Sequence, residues 1–189
     1  MEPEKLVKIS RKLSKILRHQ PDMIGLTLDE NGWAEVAELI EKFGDIRLDD
    51  TTTAPLSVEI LKEVVVTNDK QRFAFNADRT KIRANQGHSI VIDLALKAVE
   101  PPPILFHGTA TKNMQSIKSQ GLIKGSRQHV HLSKNETTAK KVGSRHGTPV
   151  IIKVKTKEMF AAHFTFYESD NGVWLTDHVP PQYLIINEQ

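Results

Sequence analysis

Three consecutive prolines, Pro101-Pro102-Pro103, interrupt the chain just past its midpoint and limit what can be built on either side. Each fixes its own φ and lacks a backbone N–H, so neither a helix interior nor a central strand can pass through the run. The prolines read as a semi-rigid spacer after Glu100, and they divide the 189 residues into lobes of 1–99 and 100–189. A chain of this length can bury one good core or two small ones, and the spacer favours two.

In the first lobe, Lys5 to His19 contains six Lys/Arg residues and no acid. At helical spacing Leu6, Ile9, Leu13, Ile16 and Leu17 share one side, and Lys8, Arg11, Lys15, Arg18 and His19 share the other. Such a face is ordinarily solvated, but uncompensated cations repel one another, and a bound anion relieves that cost. Pro21 ends the helix. Leu26 to Trp33 reads as extended chain with an Asn31-Gly32 turn, and second and third helices are expected over Ala34–Phe43 and Ser57–Val66. Arg72–Phe75 and Lys81–Ala84 flank a turn at Asp78 and predict a hairpin. Helices followed by a hairpin make a winged-helix-like lobe, a shape frequent among nucleic-acid binders without being diagnostic of them. In the loop after it, His88 of Gln86-Gly87-His88-Ser89 is expected to be a structural histidine held by a hydrogen bond.

The second lobe is organised around Ile104 to Ser133. Strand Ile104–Phe106 is expected to break at His107-Gly108-Thr109, where a glycine without a side chain lets a ligand reach the backbone. A helix over Lys112–Ser119, a turn at Gly121 and a strand at Val130–Leu132 follow. Next come a helix over Glu136–Arg145, a strand at Val150–Val154 and a short helix near Lys157–Ala162. Strands at Phe164–Tyr167, Val173–Thr176 and Tyr183–Ile186 complete an α+β lobe with a mostly antiparallel sheet.

Composition narrows the chemistry. With no cysteine, disulfides, thiolate nucleophiles and sulfur-ligated zinc are excluded. No membrane-length apolar run and no secretion-signal core occur, so a cytoplasmic location is expected. The formal net charge is +3, spread unevenly: 15 Lys/Arg against 17 Asp/Glu over residues 1–100, and 11 against 6 over 101–189. That surplus is too small for general adhesion to nucleic acid, so local clusters carry more weight. There is no P-loop, no Gly-rich dinucleotide fingerprint and no G-x-S-x-G elbow. His107, His129 and His131 lack the carboxylate or thiolate partners of a metal centre, and no metal is expected. Arg18, Arg72 and Arg127 are each ordinary surface residues taken alone; together they suit a fork-shaped clamp for a phosphate.

Seven stretches in order carry a resemblance: Leu17-Arg18-His19; Gly25-Leu26 with Leu28-Asp29 and Gly32-Trp33; Asp69-Lys70-Gln71-Arg72-Phe73; Arg83 to Ser89; Phe106-His107-Gly108-Thr109; His129-Val130-His131-Leu132-Ser133; and Asn171 to Thr176. By these the chain resembles, over almost its whole length, the RNA 2′-phosphotransferases of the KptA type. The resemblance implies a winged-helix RNA-binding lobe followed by an ADP-ribosyltransferase-like lobe that binds NAD as a consumed co-substrate. It implies removal of an internal 2′-phosphate from RNA through an ADP-ribosylated 2′-phosphate, releasing nicotinamide, 2′-OH RNA and ADP-ribose 1″,2″-cyclic phosphate, with transfer RNA splicing as the familiar context. By the same resemblance Arg18, His19, Arg72 and Arg127 hold and transfer the phosphate, in a cleft expected between the lobes. His107, Gly108 and Thr109, with His131 and Ser133, face nicotinamide and its ribose; Gly121 and Leu122 lie near adenosine. Val173 occupies the place where many ADP-ribosyltransferases carry a glutamate. A capping transferase that leaves ADP-ribose on a terminal phosphate of DNA or RNA is the alternative, and a non-catalytic RNA-binding module fused to a degenerate nucleotide sensor is the third reading. A monomer is expected.

Overall fold

The computed structural model describes residues 1–47 and 51–186. The chain separates into two compact units, Met1–Ala95 and Leu96–Gln189, each with its own apolar core. The segment ahead of the prolines belongs to the second unit, where Ala98 bridges Tyr167 and the Val99 N–H donates to the Phe166 carbonyl at 2.9 Å. The fold is mixed α/β, and among the described residues all the paired strands are antiparallel.

In the first unit α1 (Pro3–Arg18) starts with proline at its amino end and buries Leu6, Ile9, Leu13, Ile16 and Leu17 against a core that includes Leu39, Leu61 and Ile82. Full burial of such a side chain stabilises by roughly 1.5–3 kcal/mol, whereas a like-charge pair one turn apart costs only about 0.2–0.5 kcal/mol. Packing therefore decides the helix despite its crowded basic face. The segment expected as one helix from Ala34 divides into β1 (Ala34–Glu35) and α2 (Val36–Phe43), because Ala34 and Glu35 pair with Ile82 and Lys81. An additional hairpin, β2 (Asp45–Arg47) with β3 (Thr53–Pro55), precedes α3 (Val58–Thr67), whose Ser57 cap accepts a hydrogen bond from the Ile60 N–H at 3.3 Å. β4 (Phe73–Phe75) and β5 (Lys81–Ala84) form the expected hairpin and complete the sheet β1-β5-β4.

The second unit contains β6 (Leu105–Ala110), α4 (Met114–Gln120), β7 (Leu122–Ile123), β8 (Val130–Leu132), α5 (Glu136–Gly143), β9 (Pro149–Val154) and α6 (Thr156–Ala161). β10 (Tyr167–Glu168), β11 (Trp174–Thr176), β12 (His178–Val179) and β13 (Leu184–Ile185) follow. Their sheets are β13-β9-β6, β10-β11-β8 and β12-β7. A reciprocal bridge joins the first two: the Phe106 and Ser133 N–H groups each donate to the other's carbonyl, at 2.9 and 2.8 Å. The short pairs β7 and β12 have no alternating apolar pattern long enough to be read from sequence. The last three expected strands shrink: Phe166 turns into the core, Val173 belongs to the preceding turn, and Tyr183 closes a 3-10 turn over Pro181–Tyr183.

β6 corrects the expected break at His107-Gly108-Thr109. All six of its residues pair with β9, from Leu105 opposite Val154 to Ala110 opposite Pro149. The glycine serves packing: a Cβ at position 108 would lie 1.7 Å from the Ala139 carbonyl oxygen and 3.0 Å from the Gly143 nitrogen, both backbone atoms of α5. Gly121 is required for a similar reason, with a φ of +78° and the Val179 carbonyl oxygen 2.0 Å from the place of a Cβ. Among the described residues no helix is long and apolar enough to cross a membrane.

Candidate functional site

In the first unit, Arg18 is the last residue of α1 and His19 caps it. The loop after β5 returns to this helix end: the Ser89 N–H donates to the Arg18 carbonyl at 3.0 Å, and the Ser89 Oγ lies 2.8 Å from the His19 Nδ1. Gly87, at φ +88°, makes the turn that brings the loop back.

Between them sits His88, 1% exposed, and its Nδ1 and Nε2 have no hydrogen-bond partner among the described residues. The expected structural hydrogen bond is therefore absent there, and the ring is instead packed under the Asn31-Gly32 turn, where a Cβ on Gly32 would come 3.4 Å from its Nε2. Burial, reinforced by the positive charges of Arg18, His19 and Arg83, lowers the His88 pKa from 6.5 to about 4. The unfolded chain thus binds the proton more readily, and stability falls with falling pH. The contribution is complete above pH 6.5 and is lost progressively toward about pH 4. The loss amounts to about 3 kcal/mol. Denaturant unfolding across that window should show an acid slope in the parent chain and a shallower one in His88→Gln.

Arg72 is fixed by Asn68, whose Oδ1 accepts from its Nη1 at 3.2 Å and from its backbone N–H at 3.3 Å. Asp69, largely exposed, makes a long ion pair with it at 4.0 Å. Asn68 in turn donates to the Ser10 Oγ of α1 at 2.8 Å within the core, and the Asn85 N–H donates to the Arg72 carbonyl at 2.9 Å. Arg72 and Arg18 are thus both referred to α1, one through Asn68 and Ser10, the other directly. Ser10, Asn68, Asn85 and Ser89 carry this scaffold and were not selected as site residues from sequence. Asn85 and Ser89 lie in the Arg83 to Ser89 stretch that carries the resemblance, which was the signal that could have found them.

In the second unit, alternate residues of β6 face opposite sides, so Gly108 meets α5 while His107 and Thr109 look the other way, as does Ile152 opposite His107. His107 donates from Nδ1 to the His131 carbonyl at 3.0 Å, which leaves its Nε2 as an acceptor. Burial lowers the His107 pKa against the raising effect of that bond, with Arg127 and His146 adding to the lowering. Arg127 donates from Nη1 to the His131 Nδ1 at 3.0 Å, so the neutral His131 ring carries its proton on Nε2. His107, Arg127 and His131 therefore converge, with Ser133 alongside through the Phe106 bridge.

The other candidates are spread around this group. The Thr109 hydroxyl accepts from the Asn113 Nδ2 at 3.1 Å. Leu122 is buried in the core, which leaves only its backbone to meet a ligand. Val173, half-buried, ends a tight turn in which its N–H donates to the Ser169 Oγ at 3.1 Å. His129 packs edge-on against Tyr167, with ring centroids 5.7 Å apart, and does not join His107. Among the described residues no group of three or more His, Asp or Glu side chains is placed to hold a metal ion.

Comparison with known proteins gives this arrangement a context. A chain of Flavobacterium johnsoniae named as a probable RNA 2′-phosphotransferase is 55% identical over 176 residues, which cover 93% of each chain. One of Trichormus variabilis with the same name is 52% identical over 184 residues, 97% of this chain and 98% of the relative. One of Fusobacterium nucleatum, again so named, is 50% identical over 179 residues, 94% and 97%. The family model described as RNA 2′-phosphotransferase, Tpt1 / KptA family, matches residues 4–178, a span that takes in every residue of both polar groups, and the chain belongs to that family.

Proposed function

We propose that this chain removes an internal 2′-phosphate from RNA and consumes NAD in doing so. In this reading the first unit is a winged-helix RNA-binding lobe and the second an ADP-ribosyltransferase-like lobe that holds NAD. The observation that carries it is the paired anchoring on His131: Arg127 bonds its ring and His107 its carbonyl, both at 3.0 Å. This puts one fixed cation beside one neutral imidazole. The residues fit NAD on that ground. His107, kept neutral by burial, adds no charge to repel a pyridinium, and Arg127 keeps further guanidinium donors for phosphate oxygens.

When bound, NAD supplies a ribose carbon whose pyridinium substituent departs as neutral nicotinamide when the 2′-phosphate oxygen bonds to it, and an adjacent hydroxyl that then takes the phosphorus, yielding ADP-ribose 1″,2″-cyclic phosphate. The acceptor is already an anion, so the first stage needs alignment more than a base. An apolar Val173 at its position in the β11 turn is consistent with that. Arg18, Arg72 and Arg127 are assigned to the phosphate oxygens, where preorganised cations stabilise phosphoryl transfer. His19 is assigned the proton that the RNA 2′ oxygen takes as its bond to phosphorus breaks; the hydroxyl that replaces it loses its own proton to water. His107, Thr109, His131 and Ser133 are assigned to nicotinamide and its ribose. Gly108, Gly121 and Leu122 contribute backbone only, the last two toward adenosine.

A defined oligonucleotide with one internal 2′-phosphate tests the reading. With NAD, the phosphate should disappear as one equivalent of nicotinamide and of the cyclic phosphate is formed; without NAD nothing should change. ADP-ribose retained on a terminal phosphate would mean a capping transferase, and dephosphorylation independent of NAD would overturn the proposal.

A further inference from the structure

We infer that Ser89 is a positioning residue that sets the tautomer of His19, so that the proton exchanged with substrate resides on the imidazole Nε2. The inference rests on the proposed role of His19, but the geometry is independent of it. Ser89 is doubly tied to the end of α1, by its N–H to the Arg18 carbonyl at 3.0 Å and by its Oγ to the His19 Nδ1 at 2.8 Å. The main-chain bond fixes where the hydroxyl stands, because it holds Ser89 against the residue that precedes His19. A hydroxyl so fixed beside one ring nitrogen reserves the other for a ligand.

The direction of the bond follows from the work assigned to the ring. To donate at Nε2 the ring must be an imidazolium, with both nitrogens protonated, and Nδ1–H must then find an acceptor. The Ser89 Oγ is the acceptor at hand. After Nε2 gives its proton to the RNA oxygen, Nδ1 keeps its own, and Nε2 is reprotonated from solvent. Arg18 precedes His19 on the same helix end, Arg83 lies on β5, and all three groups act electrostatically on buried His88. A hydrogen-bond acceptor at Nδ1 favours the charged ring. His88 takes a complementary part: 1% exposed and packed under the Gly32 turn, it holds the Gly87–Ser89 loop against the helix. Being neutral, it adds no further cation.

Ser89 itself is exposed, and the Ser89→Ala variant retains the N–H bond to Arg18, so the fold should survive the change. Nitrogen-15 NMR of the His19 ring in the chain without ligands should show Nδ1 protonated in the neutral ring of the parent and a shift toward the other tautomer in Ser89→Ala. The single-turnover rate of 2′-phosphate removal at neutral pH should fall about tenfold, with the basic limb of its pH profile displaced to lower pH and the KM for NAD unchanged. Ser89→Thr, which keeps a hydroxyl, should restore both. An unaltered ring spectrum and pH profile in Ser89→Ala would overturn the inference, as would equal loss in the Ala and Thr variants. If the parent chain removes no phosphate with NAD, the proposed function fails instead, and the ring spectrum alone still decides the tautomer.

Discussion

Gly108→Ala should be among the most damaging single-methyl substitutions in the protein. The new Cβ would stand 1.7 Å from the Ala139 oxygen and 2.5 Å from its carbonyl carbon, and both are main-chain atoms of α5 that no side-chain rotation can move aside. Either α5 leaves the sheet or β6 gives up pairing along its length. Overpacking typically costs about 1–3 kcal/mol where neighbours yield; with backbone on the far side the expected loss is about 3 kcal/mol or more. A thermal melt followed by a probe in the second unit should shift down by about 10 °C or more. Gly25→Ala makes the comparison: its φ is +64° but nothing lies within 4 Å, so only the backbone strain of about 1 kcal/mol is expected. Equal stability of Gly108→Ala and the parent would mean that α5 does not lie against β6 as described.

Arg72→Ala should reduce removal of the 2′-phosphate by about 10²- to 10³-fold, the loss associated with deleting one preorganised donor to a developing charge. Asn68 retains its bonds to the Lys70 and Arg72 N–H groups and to Ser10, so the loop that carries position 72 keeps its supports. NAD binding, measured by titration calorimetry in the absence of RNA, should change by less than about twofold, since every residue assigned to NAD belongs to the second unit and Arg72 to the first. Collapse of NAD affinity would show the assignment of roles to be wrong.

What could be read from the amino-acid order was whatever repeats at the period of a helix or of a hairpin. The apolar stripe of α1 and the cap at Ser57 are local, and each is set by residues within a few positions of one another. Arg18, His19, Arg72 and Arg127 were selected because planar cations in a row of family motifs suit a phosphate. Their supports were not legible. Asn68 reaches Ser10 across 58 positions and Ser89 reaches His19 across 70, and no periodicity links such pairs. Gly108 shows the opposite failure: the glycine was noticed, but without the topology its openness was credited to a ligand, when the space is filled by another helix. His88 was expected to have a bond it does not make among the described residues, because a sequence reveals a polar side chain but not its depth.

β6 answers to two unrelated selective pressures at once. Positions 108 and 110 face the helix side and are governed by how little volume they occupy; positions 107 and 109 face away and, under the proposed function, are governed by what they hold. Change at one parity is then felt through loss of the folded chain, and at the other, under the same proposal, through loss of the reaction. Retuning of ligand preference in this lineage therefore has only every second residue of the strand to draw on.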